Sequence, residues 1–306
     1  MTLHVFASIA TGYGTAGNNR GETEGNTTTL QKLIWHGQPH TTVSAEAIRF
    51  ALRRLLTCKE QAGTNRTWNE ATRRNDWQDA EFKKWRKEEA GFIDDDLLGF
   101  MSAEAAKDEN TKGSANVRRA VLEMTRAVSL TPWPGDVVFN AASPRATASA
   151  AKGEGDNPVP YMAEVHATRY QYGLAMTPTA LRDRSRAAKG LEAVASLGTV
   201  AGNHARFLFD FAPEAIVIRL TEDPAPRLLY CFDTADGGKT IGAETLVKRI
   251  QSEDINPDEL ILGVVDLDAS LADQLKTAGV NQIHGVRRAV ELACKRINEH
   301  SDVKGG

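Results

Sequence analysis

Cysteine is scarce. The 306 residues hold three, Cys58, Cys231 and Cys294, far apart and without a C-x-x-C pair. That excludes a disulfide framework and a cysteine-rich zinc site, and it suits a reducing compartment. Long apolar runs are missing too, so no membrane span is expected. The stretch Met1 to Thr11 lacks the basic flank and long apolar core of a signal peptide, and a cytoplasmic location is expected. Nor does one sign of charge dominate: 37 Lys+Arg against 40 Asp+Glu leave a net charge of −3. Proteins that coat nucleic acid indiscriminately are basic overall, so any nucleic-acid contact here must use local patches. G-x-S-x-G, H-E-x-x-H and Walker motifs are absent, as is any tandem repeat. What remains is 41% hydrophobic and 25% charged, which excludes wholesale disorder. The length allows one sizeable core, or a core with a smaller satellite.

The apolar stretch Leu3 to Ala10 predicts a buried strand, and the Gly-, Asn- and Thr-rich stretch from Thr11 to Thr29 a long loop. After Ser44, a plausible N-cap, Ala47, Ile48, Ala51, Leu52, Leu55 and Leu56 recur at helical spacing. Arg49, Arg53 and Arg54 fall off that stripe, with Arg49 and Arg53 one turn apart. The segment from Cys58 to Gly113 mixes Trp68, Trp77, Trp85 and Phe82 with many charges and predicts a helical insertion, with Asp76 to Glu89 as one helix. Val117 to Leu130 fits helix or strand. Pro132 to Gly135 breaks the chain; Val137 to Phe139 is a short strand. Ala141 to Pro158 is a mobile loop at a hairpin tip, and Met162 to Met176 the return strand. A helix over Pro178 to Gly198 follows. Strands are expected near Ile216 to Leu220, Leu228 to Phe232 and Leu260 to Val265, and helices at Ala243 to Ile250, Ser270 to Thr277 and Val286 to Asn298. The fold class is α+β with large insertions.

Three constellations bear on chemistry. Gly12-Tyr13-Gly14-Thr15-Ala16-Gly17 matches G-x-G-x-x-G after a strand, but loop residues follow where a dinucleotide site needs a helix. A glycine-rich loop is the better account. The basic side of the Ser44 to Leu56 helix, with Asn18-Asn19-Arg20, could hold phosphates through arginine forks and a sugar or base through asparagine. On charge pattern alone a solvated helix face is the favoured account, and spacing does not separate the two. Asp94-Asp95-Asp96 could hold a divalent metal, but consecutive side chains diverge, and a turn or cap before Leu97 is favoured. Gly37 and Pro39 keep His36 and His40 from forming a helical metal pair. His166 and His204, beside Arg169 and Arg206, are open to RNA contact or to a structural role. No cofactor or metal is expected.

In order along the chain stand Asn18-Asn19-Arg20-Gly21, Ser44-Ala45-Glu46-Ala47-Ile48-Arg49-Phe50-Ala51-Leu52-Arg53, Asp94-Asp95-Asp96-Leu97-Leu98-Gly99-Phe100-Met101, His166-Ala167-Thr168-Arg169-Tyr170-Gln171-Tyr172 and Gly202-Asn203-His204-Ala205-Arg206. This combination, over roughly residues 3 to 232, resembles the DevR family, the repeated backbone (Cas seven) subunit of type I-B CRISPR Cascade complexes. The resemblance implies an RRM-like (ferredoxin-like) palm as a single domain over 1–306. It also implies a helical finger insertion at 58–113 and a β-hairpin thumb at 137–170. The function it implies is non-catalytic. Copies would stack head to tail along crRNA, present it for pairing with target DNA, and contact other Cascade subunits. Arg49 and Arg53 are expected on guide phosphates beside Asn18, Asn19, Arg20 and Ser44, with Asn203, His204 and Arg206 as a second set. No aromatic RNP1-type strand is visible, so base stacking on the sheet is not the expected grip. The rival functions are a guide-directed RNA endonuclease using an aspartate, and a DNA-binding regulator. The latter lacks a helix-turn-helix signature.

Overall fold

The run His4-Val5-Phe6-Ala7-Ser8-Ile9-Ala10-Thr11 is apolar on both alternating faces, as a strand covered on two sides must be. In the computed structural model it is the central strand. The structure describes residues 2–18, 22–61, 63–101, 117–143, 159–201 and 207–302. The strands of the main sheet are β1 (His4–Thr11), β2 (Lys32–Trp35), β3 (Gln38–Val43), β4 (Ala127–Ser129), β5 (Tyr170–Met176), β6 (Pro213–Thr221), β7 (Leu260–Val264) and β8 (Ile283–His284). The helices that matter here are α1 (Ala45–Lys59), α2 (Ile93–Leu98), α3 (Arg186–Ala195), α4 (Glu244–Gln251), α5 (Ser270–Thr277) and α6 (Val286–Asp302).

The strand order is β8-β7-β6-β1-β5-β4-β3-β2, with Glu123–Met124 also paired to β5. β1 runs antiparallel to both β5 and β6, and β4 antiparallel to β5. The central quartet β6-β1-β5-β4 is therefore antiparallel throughout. α1 lies on the path from β1 to β4, and α3 on the path from β5 to β6. This is a mixed α+β fold with two split β-α-β units.

Both faces of the sheet are covered. On one, Val5, Ala7 and Ile9 of β1 meet Tyr170, Tyr172 and Leu174 of β5 and the apolar sides of α1, α2, α3 and α6. On the other, Phe6, Ala10, Val217 and Leu262 pack against Leu228, Phe232, α4 and α5. The period-two pattern of Tyr170, Tyr172 and Leu174 thus faces the interior, against Phe209 and Phe211. No tyrosine of β5 is presented for stacking.

Several sequence expectations are corrected. Asp76 to Glu89 is not one helix. Arg66–Asn69 and Arg74–Trp77 form a β-hairpin, and helix is confined to the single turn Lys83–Arg86. The break has a local cause, because Asp79 N donates to Asn65 Oδ1 at 2.8 Å and Phe82 adopts φ 53°. Phe82 and Trp85 still meet on Phe100, and Trp77 packs on Phe82. The stretch to residue 101 is mixed rather than helical, and residues 102–116 lie outside the described set. The 11–29 loop contains short strands, among them Gly14–Ala16, which pairs with His166–Thr168. Val117 to Leu130 is extended. The return strand is interrupted at Val165 and Arg169, so that one stretch of chain serves three sheets. Leu228 to Phe232 is no strand: Arg227 and Tyr230 both have φ 55°, which turns the chain while Leu228 and Phe232 stay buried. Over Pro178 to Gly198 the α-helix starts only at Arg186, after a 3-10 turn at Pro178–Ala180. The hairpin Val137–Ala142 with Val159–Glu164 is present, extended by Thr27–Thr28 and Thr23–Glu24. Its tip, 144–158, lies outside the described residues.

Candidate nucleic-acid interface

α1 forms because Ser44 caps it, its Oγ accepting from Ala47 N at 3.2 Å, and because Ile48, Leu52 and Leu56 make one buried stripe. Burying each such side chain stabilises by about 1.5–3 kcal/mol, enough to hold the helix against the sheet. The opposite face carries Arg49, Arg53 and Arg54. Arg49 donates from Nη2 to Leu98 O at the end of α2. Arg53 is only 8% exposed and donates from Nε to Asp94 Oδ2 at 3.3 Å. Arg54 is exposed and makes no ion pair among the described residues.

Asp94 also accepts from the amides of Asn65 at 2.7 Å and Arg66 at 3.3 Å. Those bonds set the 66–77 hairpin opposite α1. Between them lies a cleft of about 560 Å³ lined by Arg49, Arg53, Arg54 and Arg66, with Glu46 the single acid among the described lining residues. Burial, and then the neighbouring Arg66, hold the Arg49 and Arg53 guanidiniums below their usual range, Arg53 to about 10. Both stay charged at neutral pH. Planar forks crowded at one cleft have the shape and charge that suit an oxyanion, which would relieve their mutual repulsion. A second cleft, about 720 Å³, continues from Phe50, Arg54 and Trp68 to Ser196, Thr199 and Ala201.

The aspartate run is neither a solvent turn nor a cap on its own helix, contrary to expectation. Asp94, Asp95 and Asp96 occupy the first turn of α2 and all are buried. Asp96 accepts from Arg118 Nη2 and Arg186 Nη1, each at 3.0 Å, and from the amides of Arg182 and Asp183 at 3.1 Å. Asp95 accepts from Asn65 Nδ2 at 2.9 Å, and burial with Asp94 alongside pushes its carboxyl up to about 7. Asp94 and Asp95 both hold Asn65, whereas Asp96 points elsewhere and ties down Arg118, Arg182, Asp183 and Arg186.

Of the other expected site residues, Asn18 is buried and donates from Nδ2 to Thr42 O at 3.1 Å, anchoring its loop to β3 just before Ser44. Asn19, Arg20, Asn203, His204 and Arg206 lie outside the described residues. Their flanks meet. A Cβ on Gly17 would stand 2.4 Å from the Phe207 ring, so only glycine permits that approach. Gly17 and Phe207, described residues beside the two expected sets, are therefore in contact, and Ala201 borders the second cleft.

His166 is structural. It is buried, with Nδ1 2.7 Å from Thr41 Oγ1 and Nε2 3.2 Å from Thr131 Oγ1, and burial pushes it down to about 4. Arg169 donates to Gly238 O and Thr11 O and pairs with Glu214 at 2.7 Å. Gln171 accepts from Phe232 N. The polar members of the 166–172 motif hold the fold. Arg66, Phe50, Trp68 and Asn75, which also line the clefts, were not legible as site residues. Phe50 stands on α1 itself; for Arg66, Trp68 and Asn75 the only signal is a basic, aromatic stretch, and just the hairpin brings them to α1.

The family described as "CRISPR-associated negative auto-regulator DevR/Csa2" matches residues 15–181. A relative from Myxococcus xanthus, "CRISPR-associated protein Cas7/Cst2/DevR", is 56% identical over 300 residues, covering 97% of this chain and 98% of its own length. Among solved structures, a chain of a "CRISPR RNA-guided surveillance complex" is similar with TM-score 0.56 at 16% identity, over 95% of this chain and 100% of that one. A chain of a "CRISPR RNA-guided surveillance complex, pre-nicking" gives TM-score 0.58 at 14% identity, over 97% and 100%. At those identities the likeness is one of fold.

Proposed function

The chain belongs to the DevR/Csa2 family of CRISPR-associated proteins, and from that premise we propose that it is a backbone subunit of a Cascade-type surveillance complex, built to hold guide RNA. The observation that carries this reading is the arginine-lined cleft between α1 and the 66–77 hairpin. In a chain of net charge −3, such a local concentration of guanidiniums is the patch a phosphate backbone needs.

Arg49 is the primary phosphate ligand in this reading, joined by the exposed Arg54 and by Arg66. Arg53 acts from beneath, its charge contributing while its Nε is held by Asp94. Ser44 and Asn18 position the helix start, and Asn19, Arg20, Asn203, His204 and Arg206 are further RNA contacts in this reading. The quartet β6-β1-β5-β4 with α1 and α3 supports an RRM-like palm, the segment after α1 a finger, and the 137–164 hairpin a thumb. Other copies, other subunits and target DNA are the further partners. The subunit is non-catalytic: the Asp94, Asp95 and Asp96 carboxylates that an endonuclease would use are engaged by guanidiniums and amides.

The test is Arg49→Ala combined with Arg54→Ala. Affinity for single-stranded RNA should fall equally for unrelated sequences. The slope of log affinity against log salt should flatten by about 0.7 for each phosphate that is no longer neutralised. An unchanged affinity and slope would move the grip away from this cleft.

A further inference from the structure

Within the same cleft stands a group that phosphate binding does not use. Trp68 lies on the face of the 66–77 hairpin that lines the cleft, two residues from Arg66 and directly across from Asn75. Trp68 is 38% exposed. Trp77, on the partner strand, packs at 5.7 Å on Phe82 and reaches the aromatic group around Phe100. The ring contact of Trp68 is with Phe50 of α1, edge-on at 6.3 Å and 77°, and Phe50 is itself 39% exposed. An edge-on neighbour steadies the indole and leaves a face open. Trp68 also borders the second cleft, so this face stands where the two join.

An open aromatic face beside several arginines is the arrangement by which single-stranded nucleic acid is held, bases on the π-surface and phosphates on the guanidiniums. We propose that Trp68 is a base-stacking site. One guide-RNA nucleobase lies on the indole, buttressed by Phe50, while its flanking phosphates meet Arg49, Arg54 and Arg66. The cleft volume of about 560 Å³ is in the range that accepts a small ligand. Asn75, exposed and cross-strand to Trp68, offers an amide to the base edge. Stacking is tolerant of base identity, as a subunit that must accept any guide requires. The inference rests on the RNA-binding reading above and adds to it a contact with the bases.

Its test separates charge from stacking. Fluorescence anisotropy with labelled single-stranded RNA, over a range of salt, is measured for the wild-type chain, Trp68→Ala, Trp68→Leu and Trp68→Phe. Trp68→Ala should weaken binding about five- to a hundred-fold with an unchanged salt slope, because every phosphate keeps its guanidinium. Trp68→Phe should recover most of that loss. Should Trp68→Ala also lower Tm, Trp68→Leu decides, since it keeps apolar bulk against Phe50 without a π-face; it should bind as weakly as the alanine variant. An abasic ribose-phosphate oligomer should bind wild type and Trp68→Ala equally. Wild-type binding that Trp68→Ala and Trp68→Leu leave intact would overturn the stacking site alone. So would an equal loss for the abasic oligomer. A wild-type chain that binds no RNA at low salt overturns the RNA reading and the stacking site with it.

Discussion

Three adjacent carboxylates show how much of this protein is decided residue by residue. Asp94 shares its negative charge with Arg53 and two hairpin amides, Asp96 with two guanidiniums and two amides, and Asp95 with one asparagine amide. Asp95 is the least compensated, and burial raises its carboxyl from 3.8 to about 7. The sign follows from linkage. Between those two values the folded chain keeps a proton that the unfolded chain has released, so this group's contribution is full at low pH and is lost as pH rises through 7. Asp95→Asn keeps an acceptor for Asn65 and removes the charge. Its Tm should match wild type near pH 4 and exceed it at pH 8; equal Tm values at pH 8 would show that burial does not raise the Asp95 carboxyl. His166 works in the opposite sense. Its pKa is pushed down to about 4, so its contribution is full above 6.5 and falls as pH drops toward 4.

Among the secondary-structure elements, α2 is six residues long and would not persist alone. It is held by Ile93, Leu97 and Leu98 in the core and by what its aspartates grip. Gly99 ends it at φ 67°, where a Cβ would meet Arg118 O at 2.2 Å, so the 118–120 segment can lie directly on the helix end. Asp96 joins α2 to that segment and to the start of α3 through Arg118 and Arg186. Asp96→Ala should cost about 3 kcal/mol or more, because it strands two guanidiniums that are largely buried. Denaturant titration measures this. A loss under about 1 kcal/mol would mean that the network is replaceable by water. The expectation of a turn or cap would have assigned this run that smaller cost. Nothing in the spacing of three aspartates reveals that Arg118 and Arg186, 22 and 90 residues away, converge on one of them.

For the whole molecule, the question is what covers the surfaces left open. The hairpin of Val137–Ala142 and Val159–Glu164 presents Phe139, 73% exposed, directly across from Met162, with Val137 beside them. An apolar face of that kind on a chain of nearly balanced charge suits a neighbour in an assembly. Under the proposed backbone role that neighbour is a further copy. The isolated chain should then be a monomer or an irregular oligomer, and guide RNA should drive a defined assembly whose size grows with RNA length. Light scattering with RNAs of two lengths checks this. A discrete dimer indifferent to RNA would remove the head-to-tail arrangement.

Elements whose stability is local were legible in the sequence: β1 as a continuous apolar run, α1 as a capped amphipathic stripe, and the helices at 244–251, 270–277 and 286–302. The family resemblance was legible as well, because it is carried by the order of short motifs along the chain. The 66–77 hairpin was not. Its residues alternate charge and aromatics without a clean period, and bonds from Asp94 and Asp95, far along the chain, help fix it. The site divides in the same way. The off-stripe positions of Arg49, Arg53 and Arg54 follow from helical geometry alone. That Arg53 is sequestered by Asp94, that Arg66 and Trp68 complete the cleft, and that Gly17 meets Phe207 are long-range contacts. Periodicity reports which face of an element is apolar. Which charged groups meet across two elements depends on the packing that places them, and only the tertiary structure decided that.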